Sequence, residues 1–127
     1  SFDLCPIADG GEGTALAMTT ALAGEWTRGT TQDAQGRPLE APFGWVTSSA
    51  TAIMEMSAAS GLAIVHDLKL NPLTASTLGT GILIQSALAK GARRILIGIG
   101  GSATNDGGLG VAVALAIALY AATVRRG

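Results

Sequence analysis

The sequence predicts an α/β fold in which a parallel or mixed sheet is flanked by helices. Residues 94–99 form an almost uninterrupted apolar segment, which is typical of a strand buried on both faces of a parallel sheet. A glycine-rich loop, residues 98–108, follows this strand and leads into a second apolar segment. A helical pattern that ends at Gly91 precedes the strand. The order helix, strand, glycine loop, helix indicates a βαβ-type core.

The other elements are predicted from apolar spacing and turn residues. The first half of the chain predicts a strand over residues 2–7, a helix over 14–23 that ends near Gly24, and strands over 26–32, 43–49 and 52–56. One helical turn over 58–62, closed by Gly61, and a helix from a cap at Ser76 or Thr77 to Lys90 come next. The last apolar segment, 107–124, is rich in alanine and glycine, so it is interpreted as a buried helix rather than a membrane span.

Composition narrows the class of protein. A length of 127 residues suits one domain, and 48% hydrophobic with 13% charged residues predicts a packed core rather than disorder. So few charges also predict apolar faces that pack against a further partner. The net charge is −1 and no basic patch is present, so nucleic acid is not an expected ligand. A lone cysteine, Cys5, and no recognisable secretory leader favour the cytoplasm.

The glycine loop, residues 98–108, carries the strongest chemical signal. Glycines let a backbone approach a ligand closely, and a following helix start adds unpaired N–H groups and a partial positive charge. Together these features predict a phosphate site. The alternative is a tight strand-to-helix turn with Asn105 or Asp106 as the helix cap. The candidate phosphate-binding residues are Gly100, Gly101, Ser102, Thr104 and Asn105.

Two familiar nucleotide-binding loops fit this segment poorly. No Lys-Ser or Lys-Thr pair follows the glycines, so it is not a Walker A loop. Gly98, Gly100 and Ala103 match one form of the dinucleotide fingerprint. That interpretation also needs a later acidic residue to bind ribose, and none follows Asp106.

Carboxylates next to two other turns are further candidates. Asp9 and Glu12 flank glycines before a predicted helix, where they could bind Mg²⁺, accept a hydroxyl proton or hydrogen-bond a polyol. Capping of that helix explains them equally well. Glu55, Ser57 and Ser60 follow a predicted strand, where α/β sheets bind ligands, although a solvated Glu and a serine-capped turn are the alternative. Residues 77–81 form a further glycine and threonine turn at the start of a predicted helix; it is another candidate site, with a helix cap as the alternative.

These segments together resemble the glycerate kinase family that lacks a P-loop. They occur in the family's order and at about its spacing: residues 6–14, 53–62, 71–72, 79–81 and 97–108. The resemblance implies two α/β domains with the site between them, and transfer of a phosphoryl group from ATP, with Mg²⁺, to D-glycerate. It implies Asp9 and Asp106 as catalytic carboxylates and Asp106 as a metal ligand.

The resemblance also bears on domain organisation. Family members are much longer, so residues 1–127 are expected to be a partial glycerate kinase region without a complete second domain. The expected partners are glycerate, ATP and either the remainder of the enzyme or a second copy, with no membrane. The alternative function is a non-catalytic protein that binds phosphate or a nucleotide.

Overall fold

The computed structural model describes residues 1–126. In this part of the chain, four strands and four helices follow one another in the order α1 (Thr14–Ala21), β1 (Glu25–Gln32), β2 (Pro38–Val46), β3 (Thr51–Glu55), α2 (Ser57–Ser60), α3 (Leu78–Lys90), β4 (Arg94–Gly98) and α4 (Leu109–Arg126). A 3₁₀ turn, Thr47–Ser49, joins β2 to β3. The predicted α/β class is confirmed.

The strands form one mixed sheet in the order β1-β2-β3-β4. The pairs β1/β2 and β2/β3 are antiparallel, whereas β3 and β4 are parallel with Thr51 opposite Arg94 and Glu55 opposite Gly98. The chain connects β3 to β4 through α2 and α3, as a parallel pair requires. Parallel pairing brings the carboxyl ends of β3 and β4 to the same edge of the sheet.

Helices cover both faces of the central strands. On one face, α3 packs on β2 and β3 through a buried cluster that includes Phe43, Met54 and Leu83. On the other face, Ala15 of α1 packs against Val46 and Ile53. Strand β3 is buried on both faces because successive side chains point to opposite sides of the sheet.

The ends of α3 agree with the sequence. The Leu78 N–H donates to the Ser76 hydroxyl at 3.1 Å, next to the cap position Thr77. Gly91 ends the helix with a φ of 102°, a left-handed conformation that glycine adopts without strain. Helix α1 differs, because Ala23 rather than Gly24 adopts the positive φ, 52°.

Several predictions about burial or regular structure are wrong in the described residues. The strand predicted over 43–49 begins earlier, at Pro38, and ends at Val46, since residues 47–49 form the 3₁₀ turn. Residues 2–7 form no strand, and no neighbouring strand pairs with them; Phe2 is fully exposed. Strand β4 lies at the edge of the sheet, so its predicted burial on both faces is incomplete, and Ile99 just beyond it is 75% exposed. Helix α4 packs on α3 through Ala114, but Ile117 and Tyr120 are exposed. Within residues 1–126, no helix has the length and hydropathy needed to cross a membrane.

Candidate functional site

The loops after β3 and β4 lie side by side. The Met56 N–H donates to the Gly98 carbonyl at 2.8 Å, directly after the last paired residues of the two strands. Farther along, the Leu62 N–H donates to Gly101 and the Ala103 N–H to Ser60, at 2.9 and 2.8 Å. The segment that carries Glu55, Ser57 and Ser60 is therefore hydrogen-bonded along its backbone to the glycine loop.

The amino-terminal loop, residues 9–13, contacts the glycine loop through backbone atoms. The Gly100 N–H donates to the Gly10 carbonyl at 2.8 Å. A Cβ added at Gly98 would lie 2.6 Å from the Gly10 carbonyl oxygen, and one at Gly100 would lie 2.7 Å from the Gly11 Cα. Both glycines are thus required for close loop packing, whether or not a ligand binds.

A cleft of about 510 Å³ opens beside the glycine loop. Ser102, Thr104, Asn105 and Asp106 line one part of it, and Thr77 contributes from the start of α3. No lysine or arginine is among the described residues that line the cleft. A bound anion would therefore depend on hydrogen bonds rather than on nearby protein cations.

The glycine loop offers hydrogen-bond donors to this cleft. The Ser102 and Thr104 hydroxyls lie 2.7 Å apart, and the Thr104 N–H donates to the Ser102 oxygen at 3.1 Å. Within residues 1–126, the N–H groups of Asn105, Asp106 and Gly107 donate to no protein acceptor. One of the two hydroxyls donates to the other, so three consecutive N–H groups and one hydroxyl proton remain for phosphate oxygens.

The Asp106 carboxylate accepts hydrogen bonds from other groups of the protein. Oδ1 accepts the Gly108 N–H at 3.1 Å; Oδ2 accepts the Gly110 N–H at 3.1 Å and the Thr77 N–H at 2.9 Å. The Thr77 hydroxyl donates to the same carboxylate, with Oδ2 2.9 Å away. Burial raises the pKa of Asp106, but the hydrogen bonds from Thr77, Gly110 and Gly108 outweigh it and hold the pKa below the usual aspartate value.

These contacts make Asp106 a helix cap, which the sequence left open as an alternative. A carboxylate has about four lone-pair sites, and four donors from the protein occupy them here. A metal ion at Asp106 would have to displace some of these donors. The metal and catalytic roles of Asp106 therefore stay predictions.

Glu55 also caps a helix. Its Oε1 accepts the Ala15 N–H in the first turn of α1 at 2.8 Å, and its Oε2 accepts the Ser57 hydroxyl at 3.3 Å. Ser57 is buried beneath the glycine loop, because its Cβ would lie 3.1 Å from a Cβ added at Gly101. Glu55 and Ser57 thus pack and hydrogen-bond inside the protein, next to the glycine loop.

The remaining candidate site residues differ in their exposure to solvent. Ser60 is fully buried, and its hydroxyl lies 2.8 Å from that of Thr80 on α3, so it packs two helices together. Asp9 is exposed and accepts the Gly11 N–H at 3.0 Å, whereas exposed Glu12 lines a separate groove along α1. Within residues 1–126, no three His, Cys, Asp or Glu side chains cluster as metal ligands.

Sequence reasoning missed Thr77 as a member of the site. The turn at residues 77–81 was a visible signal, but the sequence left it open between a candidate site and a helix cap, and it singled out no residue. Its contact with Asp106, which lies far along the chain, exists only after α3 and α4 pack together.

Comparison with known proteins decides the family. The sequence model of the glycerate kinase family matches residues 1–126. The chain belongs to the glycerate kinase family. The segments that meet at the cleft all lie inside this match.

Similarity to individual glycerate kinases supports the same assignment. The chain is similar to glycerate kinase of Bacillus subtilis (strain 168), with 50% identity over 110 residues, and to glycerate 2-kinase of Escherichia coli (strain K12), with 48% identity over 110 residues. Each match covers 87% of this chain and 29% of the relative. A crystal structure assigned to glycerate kinase 2 of Salmonella typhimurium LT2 superimposes with a TM-score of 0.80 at 46% identity, over 87% of this chain and 30% of that one. The chain thus spans under a third of the length of these family members.

Proposed function

We propose that the protein to which these residues belong transfers the γ-phosphoryl group of ATP to a hydroxyl of D-glycerate. A new P–O bond forms to the glycerate oxygen, the bond to ADP breaks, and the hydroxyl gives up its proton. The observation that carries the proposal is a cleft with donors suited to phosphate, which is lined by two of the family segments, 53–62 and 97–108, together with Thr77. A third segment, 6–14, contacts the glycine loop through its backbone. Membership of the glycerate kinase family supports the choice of reaction.

In this proposal the glycine loop binds the phosphates. The N–H groups of Asn105, Asp106 and Gly107 donate to phosphate oxygens. The hydroxyl of the Ser102–Thr104 pair that does not donate to its neighbour adds a fourth donor. Phosphoryl transfer depends mainly on positioning and charge neutralisation. Because no lysine or arginine is among the described residues lining the cleft, the loop supplies position and little charge. Mg²⁺, when bound, supplies the neutralising charge.

The carboxylates divide according to their hydrogen bonds. Asp9 is exposed and accepts a single N–H, so one of its oxygens is available to accept a hydroxyl proton or to contact Mg²⁺. Glu55 and Asp106 hold helix ends, and this leaves them fewer free lone pairs. We therefore assign the proton-accepting role to Asp9 in preference to Asp106.

We further propose that the exposed apolar faces of β4 and α4 pack against the parts of a full-length family member that lie outside this chain. Ile99, Ile117 and Tyr120 are more than half exposed, and leaving such side chains in water is unfavourable. The proposal includes a cytoplasmic setting, where the cell's ATP-dependent metabolism operates.

The test is a chimera. The segment of Bacillus subtilis glycerate kinase that matches this chain would be replaced by the corresponding residues of this chain, and glycerate-dependent ADP formation would be measured with and without Mg²⁺. We expect turnover that needs both. Ser102→Ala should raise KM for ATP about tenfold, the effect typical of one hydrogen bond to a charged group. Ser48→Ala is the matched control, because Ser48 is exposed in the 3₁₀ turn away from the cleft.

Two results would count against the proposal. A folded chimera whose ADP formation does not depend on glycerate would refute the substrate. A folded chimera that binds Mg·ATP and has no turnover would favour the alternative, a phosphate-binding role without catalysis.

A further inference from the structure

The amino end of α4 has its N–H groups satisfied inside the protein. Gly108 and Gly110 donate to the Asp106 carboxylate, and the Leu109 N–H donates to the Asp106 carbonyl at 3.1 Å. The Val111 N–H donates to the Thr77 hydroxyl oxygen at 3.1 Å. The groups that usually make a helix start attractive to anions are therefore occupied.

Thr77 completes this cap from another part of the chain. It is 1% exposed, and its hydroxyl is used twice, as donor to Asp106 and as acceptor from Val111. Its N–H also donates to Asp106. The starts of α3 and α4 approach closely here, because a Cβ added at Gly110 would lie 2.2 Å from the Leu78 nitrogen.

This network determines the shape of the loop just before α4. Gly107 and Gly108 have φ values of 63° and 80°, which side-chain-bearing residues rarely adopt. The Asp106 side chain bonds across this turn to Gly108 and Gly110, and Thr77 in turn fixes the Asp106 side chain. The unpaired N–H groups of residues 105–107 belong to the same turn.

We propose that Thr77 is a positioning residue of the phosphate site. Its hydroxyl holds Asp106 and Val111, and thereby presents the N–H groups of residues 105–107 as the anion-binding part of the loop in place of the capped helix end. The proposal rests on the proposed function for the ligand. It assigns Asp106 to the support of the loop rather than to metal binding.

The experiment uses the complete 127-residue chain and three variants. Thr77→Val removes the hydroxyl and keeps the shape, Thr77→Ser keeps the hydroxyl, and Thr30→Val is a control at an exposed threonine of β1. Hydrogen exchange of the Gly110 and Val111 amides is measured by NMR without ligand. The Kd for Mg·ATP and for orthophosphate is measured by calorimetry.

We expect Thr77→Val to lose amide protection at Val111 and to bind Mg·ATP about tenfold more weakly, the loss typical of one hydrogen bond to a charged group. Thr77→Ser should stay within about twofold of the unsubstituted chain on both measurements, since the bonding group remains. The Thr30→Val control should change neither. Rescue by serine separates the hydroxyl from general packing, and it is informative even if Thr77→Val folds poorly.

Other outcomes overturn the proposal in distinguishable ways. Unchanged protection in folded Thr77→Val shows that Thr77 does not hold α4, whatever its ATP affinity. Lost protection with unchanged Mg·ATP affinity shows that the network does not position the site. Weakening of Thr77→Ser to the level of Thr77→Val shows that the hydroxyl is not the acting group. An unsubstituted chain that binds neither probe overturns the role of Thr77 at a phosphate site of this chain, and this is seen before any substitution is made. Glycerate-dependent turnover of the chimera tests the proposed function separately.

Discussion

Gly100 offers the sharpest test of how the loops assemble. A Cβ added at this position would lie 2.7 Å from the Gly11 Cα and 2.8 Å from the Gly11 nitrogen. Carbon atoms in contact prefer about 3.5–4.0 Å, so Gly100→Ala must separate the two loops by about 1 Å. Both neighbouring atoms belong to the backbone, and no side chain can rotate to relieve the clash.

The expected cost has two parts. Overpacking costs about 1–3 kcal/mol. Separation of the loops also weakens the 2.8 Å hydrogen bond from the Gly100 N–H to Gly10, which contributes about 0.5–1.5 kcal/mol. We therefore expect Gly100→Ala to lower the free energy of unfolding by about 2–4 kcal/mol. With a urea m-value of about 2 kcal/mol/M, the midpoint falls by about 1–2 M.

The assay is equilibrium urea unfolding followed by the fluorescence of Trp26 and Trp45, with NMR amide shifts as a local readout. Gly36→Ala is the control, because Gly36 has a positive φ of 91° but its added Cβ meets only Gln32, at 3.9 Å. The control should cost about 1–2 kcal/mol from backbone strain alone. If Gly100→Ala costs no more than Gly36→Ala, or leaves the Gly11 amide shift unchanged, close packing of the two loops at Gly100 is refuted.

Three further predictions concern buried polar groups. Thr19→Val should raise the free energy of unfolding by about 1–2 kcal/mol, because the buried Thr19 hydroxyl has no hydrogen-bond partner within residues 1–126; a loss of stability in urea would contradict this. Ser60→Ala should cost about 1–3 kcal/mol by leaving the Thr80 hydroxyl unpaired, and the double variant Ser60→Ala/Thr80→Val should cost less than the sum of the single changes; additive costs in a double-mutant cycle would exclude coupling. Arg37→Met should lower the free energy of unfolding, because the Arg37 side chain donates to buried Asp33 at 2.6 Å. Burial raises the pKa of Asp33, but hydrogen bonds from Arg37 and Gln35 outweigh it and hold the pKa below the usual aspartate value. The loss of stability in Arg37→Met should therefore be greatest above about pH 4 and should shrink as the pH falls through the folded-state pKa of Asp33. A loss of stability that does not depend on pH would contradict the pairing.

Much of the fold could be predicted from local pattern. Residue composition and bounding turns located β1 and β3 to within a residue or two, and glycine at position 91 located the end of α3. The pairing of β1 with β2 through an Asp-Ala-Gln-Gly turn is also local. These features depend on neighbours in sequence, and so the sequence carries them directly.

Burial could not be predicted in the same way. An apolar strand and an apolar helix were expected to be covered, but β4 is an edge strand and the outer face of α4 is exposed within the described residues. Apolar composition indicates that burial of a surface is favourable, but the arrangement of neighbouring strands and helices decides whether that surface is covered.

For the candidate site, the sequence by itself determined which segments carry glycines, hydroxyls and carboxylates, because backbone freedom and side-chain chemistry are properties of single residues. It could not decide which of those groups remain available to a ligand. That depended on packing: α3 brings Thr77 to Asp106, and β3 brings Glu55 to the start of α1. A hydrogen bond already made inside the protein removes a group from the site, and such bonds between distant parts of the chain exist only in the tertiary structure.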